Sequence, residues 1–237
     1  RLAALEALVR WRHPSRGLVM PDAFISVAEE TGLIVPLGKL VLVNACLQLR
    51  RWQREIPSLA QMAVGVNISH RQFVSPAVVD DVASILEETG LAPQSLRLEV
   101  TETAAMQNAT QTIDTMARLR AMGVLIYMDD FGTGYSSLSQ LQRMPLDALK
   151  IDREFVKEMN RDATSRSIVD SIITLAHTMS LRVIAEGVET AEQAERLVDS
   201  GCDYLQGYHF GRPMAADQMA PFVERRETLE LARAAAL

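Results

Sequence analysis

Cysteine is scarce in this chain of 237 residues: only Cys46 and Cys202 occur, far apart and in apolar, helix-like surroundings. That excludes a disulfide-stapled scaffold and points to reduced, buried thiols. The four histidines, His13, His70, His177 and His209, show no ligand spacing such as His-Glu-x-x-His, and neither cysteine has a histidine partner in the sequence. Zinc chemistry and a Cys/His hydrolase are therefore set aside. No uninterrupted apolar run of about 18 residues is present, so nothing reads as a bilayer-spanning helix. Arg1 opens directly into a strand-like run with no leader pattern, so no signal peptide is expected. Positive charge is not in excess either: 24 Lys and Arg stand against 30 Asp and Glu, a formal net charge of −6. This argues against a basic groove for a nucleic-acid polymer. It leaves room for a phosphate-bearing substrate where bound cations reverse the local charge. Linkers of Gly/Ser or Pro character, fixed-period repeats and low-complexity tracts are missing too. What is present is 48% apolar residues, enough to bury a sizeable core. The composition describes a soluble, cytoplasmic, globular domain.

Short β-rich runs alternate with longer amphipathic stretches. Strands are predicted at residues 4–11, 62–68, 96–100, 124–128, 148–151, 182–185 and 204–207. Helices are predicted at 21–30, 37–54, 76–89, 109–122, 153–179, 191–200 and 216–234, with the Ala-rich stretch 232–236 fraying. Leu37, Leu40, Val41, Leu47 and Trp52 follow a helical stripe that ends in the solvated Arg50, Arg51 and Arg54. Asp22 and Thr190 read as helix caps. The scattered methionines read as core filling. Strand–helix alternation predicts parallel strands joined by crossover helices. Several strands are apolar at nearly every position, as when both sheet faces are covered. An undivided chain of this pattern favours a closed β/α barrel over an open doubly wound sheet, although the strands number one fewer than the usual eight.

The polar residues fall at the C-terminal ends of those strands. Glu6 lies within the first, Asn67 ends the second, and Glu99 and Glu102 end the third. Asp129 and Asp130 end the fourth, Lys150 the fifth, Glu186 and Glu189 the sixth, and Gln206 the last. In a β/α barrel these ends converge on one mouth. Carboxylates crowded there repel one another unless cations occupy the space. Oxygen donors without Cys or His point to hard divalent ions, Mg²⁺ or Mn²⁺. The Asp129-Asp130 pair suits two ions about 3.5–4 Å apart, one carboxylate bridging both and its neighbour serving the second, the arrangement used in in-line phosphoryl displacement. Acidic residues after strands also cap helices, but that accounts poorly for such residues at successive strand ends.

The segments Glu6-Ala7-Leu8 with Val9-Arg10-Trp11, Asn67-Ile68-Ser69, Glu99-Val100-Thr101-Glu102, Asp129-Asp130-Phe131-Gly132-Thr133-Gly134, Leu149-Lys150-Ile151-Asp152, Glu186-Gly187-Val188-Glu189 and Gln206-Gly207-Tyr208, in this order, resemble the EAL-domain cyclic di-GMP phosphodiesterases. The resemblance implies a bacterial signalling hydrolase on a TIM-like (β/α) barrel, one domain over 1–237. It implies Glu6, Asn67, Glu99 and Asp129 as ligands of one metal, with Asp129 bridging to a second that Asp130 also binds and Glu186 on the metal or its water. Lys150 resembles the catalytic lysine that holds or deprotonates the attacking water; cations beside it would depress its pKa and let it act as a base. Gln206 resembles a catalytic and substrate-binding group near the scissile phosphate, and Arg10 a phosphate contact. Residues 129–137 resemble a mobile loop that couples metal binding to dimerisation, with Gly132 and Gly134 supplying backbone freedom. Glu102 resembles the anchor of that loop, and Glu189 a supporting group. By letter alone Asp130-Phe131-Gly132 also matches the kinase magnesium tripeptide, but no Gly-rich nucleotide loop accompanies it.

The family's usual opening, a helix and an antiparallel strand with a Tyr-Gln-Pro motif, has no counterpart ahead of Glu6, so the chain is expected to be N-terminally incomplete. The resulting expectation is a cyclic-guanylate-specific phosphodiesterase that uses two Mg²⁺ or Mn²⁺ ions to hydrolyse cyclic di-GMP to linear pGpG and so lowers the second messenger. A homodimer and an upstream sensory or cyclase domain are implied by resemblance, with membrane anchoring of the parent protein left open. The alternative is a non-catalytic cyclic di-GMP receptor that relays ligand binding to a partner domain. Retention of the Asp129-Asp130 pair favours the enzyme.

Overall fold

The computed structural model describes residues 2–134 and 138–234. The expected loop 129–137 is therefore described as far as Gly134. Arg1, and Ala235 and Ala236 of the expected fraying end, lie outside the described residues. The strands are β1 (Ala4–Ala7), β2 (Trp11–His13), β3 (Gly17–Val19), β4 (Ala63–Asn67), β5 (Leu96–Thr101), β6 (Leu125–Phe131), β7 (Ala148–Ile151), β8 (Arg182–Ala185) and β9 (Tyr204–Leu205). The helices are α1 (Ile25–Thr31), α2 (Ile34–Glu55), α3 (His70–Phe73), α4 (Val78–Thr89), α5 (Glu102–Met106), α6 (Ala109–Ala121), α7 (Leu138–Leu141), α8 (Arg153–Glu158), α9 (Ala163–Thr178), α10 (Ala191–Asp199) and α11 (Met219–Ala234). Among the described residues no helix is long and apolar enough to cross a membrane.

Seven strands form one sheet in the order β1-β4-β5-β6-β7-β8-β9, and every neighbouring pair is parallel. Side chains alternate between its faces. Val64, Val66, Leu96, Leu98, Val100, Ile126, Met128, Leu149, Ile151, Val183 and Ala185 turn outward into the large core shared with the helices. On the inner face Tyr127, Ala148 and Ile184 form a separate small cluster. Glu6, Asn67, Glu99, Asp129 and Lys150 share the inner parity, which the register Glu6↔Gly65, Asn67↔Glu99, Glu99↔Tyr127 and Tyr127↔Ala148 carries from strand to strand. The sheet thus delivers its polar residues to one end of a curled, TIM-like α/β layer. Eight strands usually close such a barrel. With seven, β1 and β9 remain edges, and no ladder among the described residues joins them.

Several predicted elements differ in detail. The apolar run at 4–11 is not one strand. It stops at Ala7, and Trp11–His13 instead pairs antiparallel with Gly17–Val19 across the turn at Pro14–Arg16. The helix predicted at 153–179 is two, because Asp162 caps a new start by accepting from the backbone N–H groups of Thr164 and Ser165. Asp22 is no cap: it sits inside a 3-10 turn, Pro21–Ala23, that has no side-chain capping hydrogen bond. Thr190 is a cap, completing a reciprocal box with Gln193. The last strand is only two residues long, since the chain turns at Gln206-Gly207.

Candidate active site

Lys150 occupies the centre of the inner face, 1% exposed. Its Nζ lies 2.5 Å from Glu99 Oε2, 2.6 Å from Glu186 Oε1 and 3.2 Å from Asp129 Oδ1. One ammonium therefore faces three carboxylates in a poorly hydrated space, and negative charge is in excess. Burial pushes the Glu99 carboxyl up to about 7 and Glu186 up to about 8, with Lys150 only partly offsetting it. For Lys150 burial acts to lower the pKa, but Glu99, Glu186 and Asp129 outweigh it and hold the ammonium well above its ordinary value. The neighbours that the chain itself supplies are all anions and keep Lys150 protonated; the depression expected from the sequence belongs to bound cations.

The adjacent aspartates reach the same space through a break in strand periodicity. Met128 pairs with Leu149 and Phe131 with Ile151, so three steps on β6 match two on β7. This bulge keeps both Met128 and Phe131 in the outer core. Asp130 takes a left-handed φ of 52°. Asp129 Oδ1 accepts the Asp130 N–H at 3.0 Å. Oxygen atoms of Asp129, Asp130 and Glu186 lie within 4.8 Å of one another. Burial, then the charge of Asp129, then a hydrogen bond with Asp152 push the Asp130 carboxyl up to about 6.

Asp152 was not singled out from the sequence. It is buried, and its Oδ1 accepts the Glu154 N–H at 2.7 Å. The available signal was its place two residues beyond Lys150 in Leu149-Lys150-Ile151-Asp152, which gives it the same facing.

Glu6, Asn67 and Gln206 form the other wall. Asn67 Nδ2 donates to Glu6 Oε1 at 2.8 Å, and Gln206 Nε2 donates to Glu6 Oε2 at 2.5 Å. Gln206 thus touches Glu6, not Lys150. Glu102 is buried, and its Oε2 accepts the N–H of Gly132 at 2.9 Å and of Gly134 at 3.4 Å. Arg10 is half-buried and donates to the carbonyl of its neighbour Val9 at 2.8 Å. Glu189 is exposed, and its backbone N–H donates to Gln193 Oε1 at 2.8 Å. One cavity of about 1260 Å³ takes in Glu6, Arg10, Glu99, Lys150, Glu186 and Gln206. The donors are oxygens that carry uncompensated negative charge at close range. That set fits hard divalent cations.

A family model described as "EAL domain" matches residues 1–213. The bifunctional diguanylate cyclase/cyclic di-GMP phosphodiesterase MucR of Pseudomonas aeruginosa is 46% identical over 218 residues, which is 92% of this chain and 32% of that protein. The cyclic di-GMP phosphodiesterase PdeR of Escherichia coli is 40% identical over 213 residues, 90% of this chain and again 32% of the relative. This chain therefore spans about a third of the length of those curated relatives. Among solved structures, "PaMucR Phosphodiesterase, c-di-GMP complex" superposes with a TM-score of 0.86 at 47% identity, covering 90% of this chain and 86% of that one. A family match that runs through every strand carrying the acidic site, supported by a solved relative of the same shape, establishes that this chain belongs to the EAL domain family.

Proposed function

We propose that residues 1–237 act as one phosphodiesterase domain that hydrolyses cyclic di-GMP to linear pGpG in the cytoplasm with two Mg²⁺ or Mn²⁺ ions. The observation that carries this reading is the clustering of Asp129, Asp130 and Glu186 beside Lys150 in a chain 47% identical to a phosphodiesterase solved with c-di-GMP. Glu6, Asn67, Glu99 and Asp129 would hold one ion, and Asp129, Asp130 and Glu186 the other, with Asp152 supporting Asp130. The ions, when bound, supply Lewis acidity and a more acidic water. Lys150 Nζ, fixed by its three carboxylates, donates a hydrogen bond that orients the attacking oxygen. Glu186, 2.6 Å from Lys150 Nζ, positions the attacking oxygen together with the lysine. The Arg10 guanidinium matches a phosphodiester oxygen pair, and Gln206 lies within reach of the same space. Glu102 holds the start of the loop after β6, Glu189 lends support from the rim, and the domain works as a homodimer under an upstream sensory or cyclase domain.

The test is cyclic di-GMP turnover by the domain with Mg²⁺ or Mn²⁺. We expect pGpG from the parent, and a loss of 10²-fold or more in Lys150→Ala and Asp129→Asn. Nucleotide binding in Ca²⁺ without turnover in Mg²⁺ or Mn²⁺ would identify a receptor instead. Sedimentation of the same protein at micromolar concentration reads the oligomeric state.

A further inference from the structure

We infer that Gly207 is a positioning residue: it lets the turn after β9 lie directly on the backbone of Val188, and so holds the Gln206 amide across the open seam onto Glu6. A Cβ at Gly207 would stand 2.2 Å from Val188 O, 2.3 Å from Val188 N and 2.7 Å from Val188 C. All three are main-chain atoms, so no side-chain rotation relieves the contact. Nor can Val188 withdraw. It is fully buried, its N–H donates to the Gln206 carbonyl at 3.0 Å, and its carbonyl accepts the His209 N–H at 3.0 Å. The Gln206 N–H also donates to the Ala185 carbonyl at 2.8 Å. Residues 206–209 therefore clasp Val188 from both sides and extend the β8–β9 pairing beyond Leu205. The φ of 156° at Gly207 belongs to the same fit.

What the clasp positions is the edge of the site. No ladder among the described residues joins β1 to β9, yet Gln206 Nε2 reaches Glu6 Oε2 at 2.5 Å. Asn67 on β4 fixes the other Glu6 oxygen. A side chain at position 207 would force Gln206 away by roughly 1 Å, enough to break its contact with Glu6. Among the described residues Glu6 would then keep its Asn67 tether alone. The inference rests on the proposed role of Glu6 as a metal ligand, while the seam contact itself stands apart from that role.

The experiment pairs Mn²⁺ titration calorimetry with ¹H–¹⁵N spectra of the metal-free Gln206 side-chain amide, on the parent, Gly207→Ala, Gln206→Ala and the double variant. Unfolding midpoints confirm that each is folded. Gly207→Ala is expected to weaken Mn²⁺ binding about tenfold and shift the Gln206 amide resonances. Gln206→Ala should weaken binding to a similar degree, and the double variant by less than twofold beyond Gln206→Ala, as for two residues acting through one contact. Gly201→Ala, at a φ of 83° with nothing nearer than 4.0 Å to its Cβ, supplies the cost of backbone conformation alone and should bind within twofold of the parent. Additive losses, Mn²⁺ affinity unchanged in Gln206→Ala, or Gln206 amide resonances unmoved in Gly207→Ala would each overturn the inference. Mn²⁺ binding without cyclic di-GMP turnover overturns the proposed activity and leaves the positioning role in place. If the parent binds no Mn²⁺, the amide resonances alone decide.

Discussion

Lys150 and its three carboxylates make the site a place of stored electrostatic strain. Glu99 and Glu186 keep their protons up to about 7 and about 8, above the ordinary carboxyl value of 4.5. Between those limits the folded state binds more protons than the unfolded chain, so stability falls as pH rises. In chelator, the unfolding midpoint should therefore drop between about pH 5 and 8, and Mn²⁺ added at pH 8 should restore it. A thermal-shift series reads both, and a flat profile in chelator would contradict the account. Asp130 carries strain of another kind. At its φ of 52° a Cβ costs about 1 kcal/mol that glycine avoids. Asp130→Gly should accordingly be more stable to urea than Asp130→Ala by about that amount, although both delete the carboxylate; the reverse order would mean that the residue is not held there. Most of these residues were legible beforehand, because a carboxylate at a strand end has no place in a two-sided core. The bulge was not. Strict alternation would send Asp129 and Asp130 to opposite faces, and nothing in the letters reveals the extra residue on β6.

Elements around the site are held by hydrogen bonds that the sequence discloses unevenly. Thr190 is a recognisable cap for α10, yet Gln193, three residues on, makes the more demanding contacts. Its Oε1 accepts the N–H groups of Glu189 at 2.8 Å and Thr190 at 3.0 Å, and its Nε2 donates to the Val156 carbonyl at 3.1 Å. Thr190→Ala should cost about 1 kcal/mol. Gln193→Ala should cost more, about 2–3 kcal/mol, since it leaves the buried Val156 carbonyl and the backbone N–H groups of Glu189 and Thr190 without this partner. Urea denaturation of the two variants compares them directly, and a costlier Thr190→Ala would refute the ranking. Helix boundaries were read less well. Between α8 and α9 no glycine or proline interrupts the pattern, and the apolar positions run on through Val156 and Met159. The break lies in the side chain of Asp162, which is visible only once the backbone groups it caps are located. The β2–β3 hairpin was hidden in a similar way, its first strand merging with the apolar run that begins at Ala4.

On the scale of the whole molecule, seven parallel strands taken in chain order bring one polar group after another to a common rim. Each contribution depends on a neighbour already in place, and the sheet could in principle grow strand by strand from β1. The contact that completes the rim is different in kind: the hydrogen bond between Gln206 and Glu6 joins residues 200 positions apart. Contacts of such sequence separation carry the largest loop-closure cost and form late. A refolding chain should therefore recover its helical far-ultraviolet signal before it recovers tight Mn²⁺ binding, and a stopped-flow comparison of the two signals would show whether they separate. The rim is thus finished not by a strand but by the turn that follows the two-residue β9, where Gln206 returns to the first strand of the sheet.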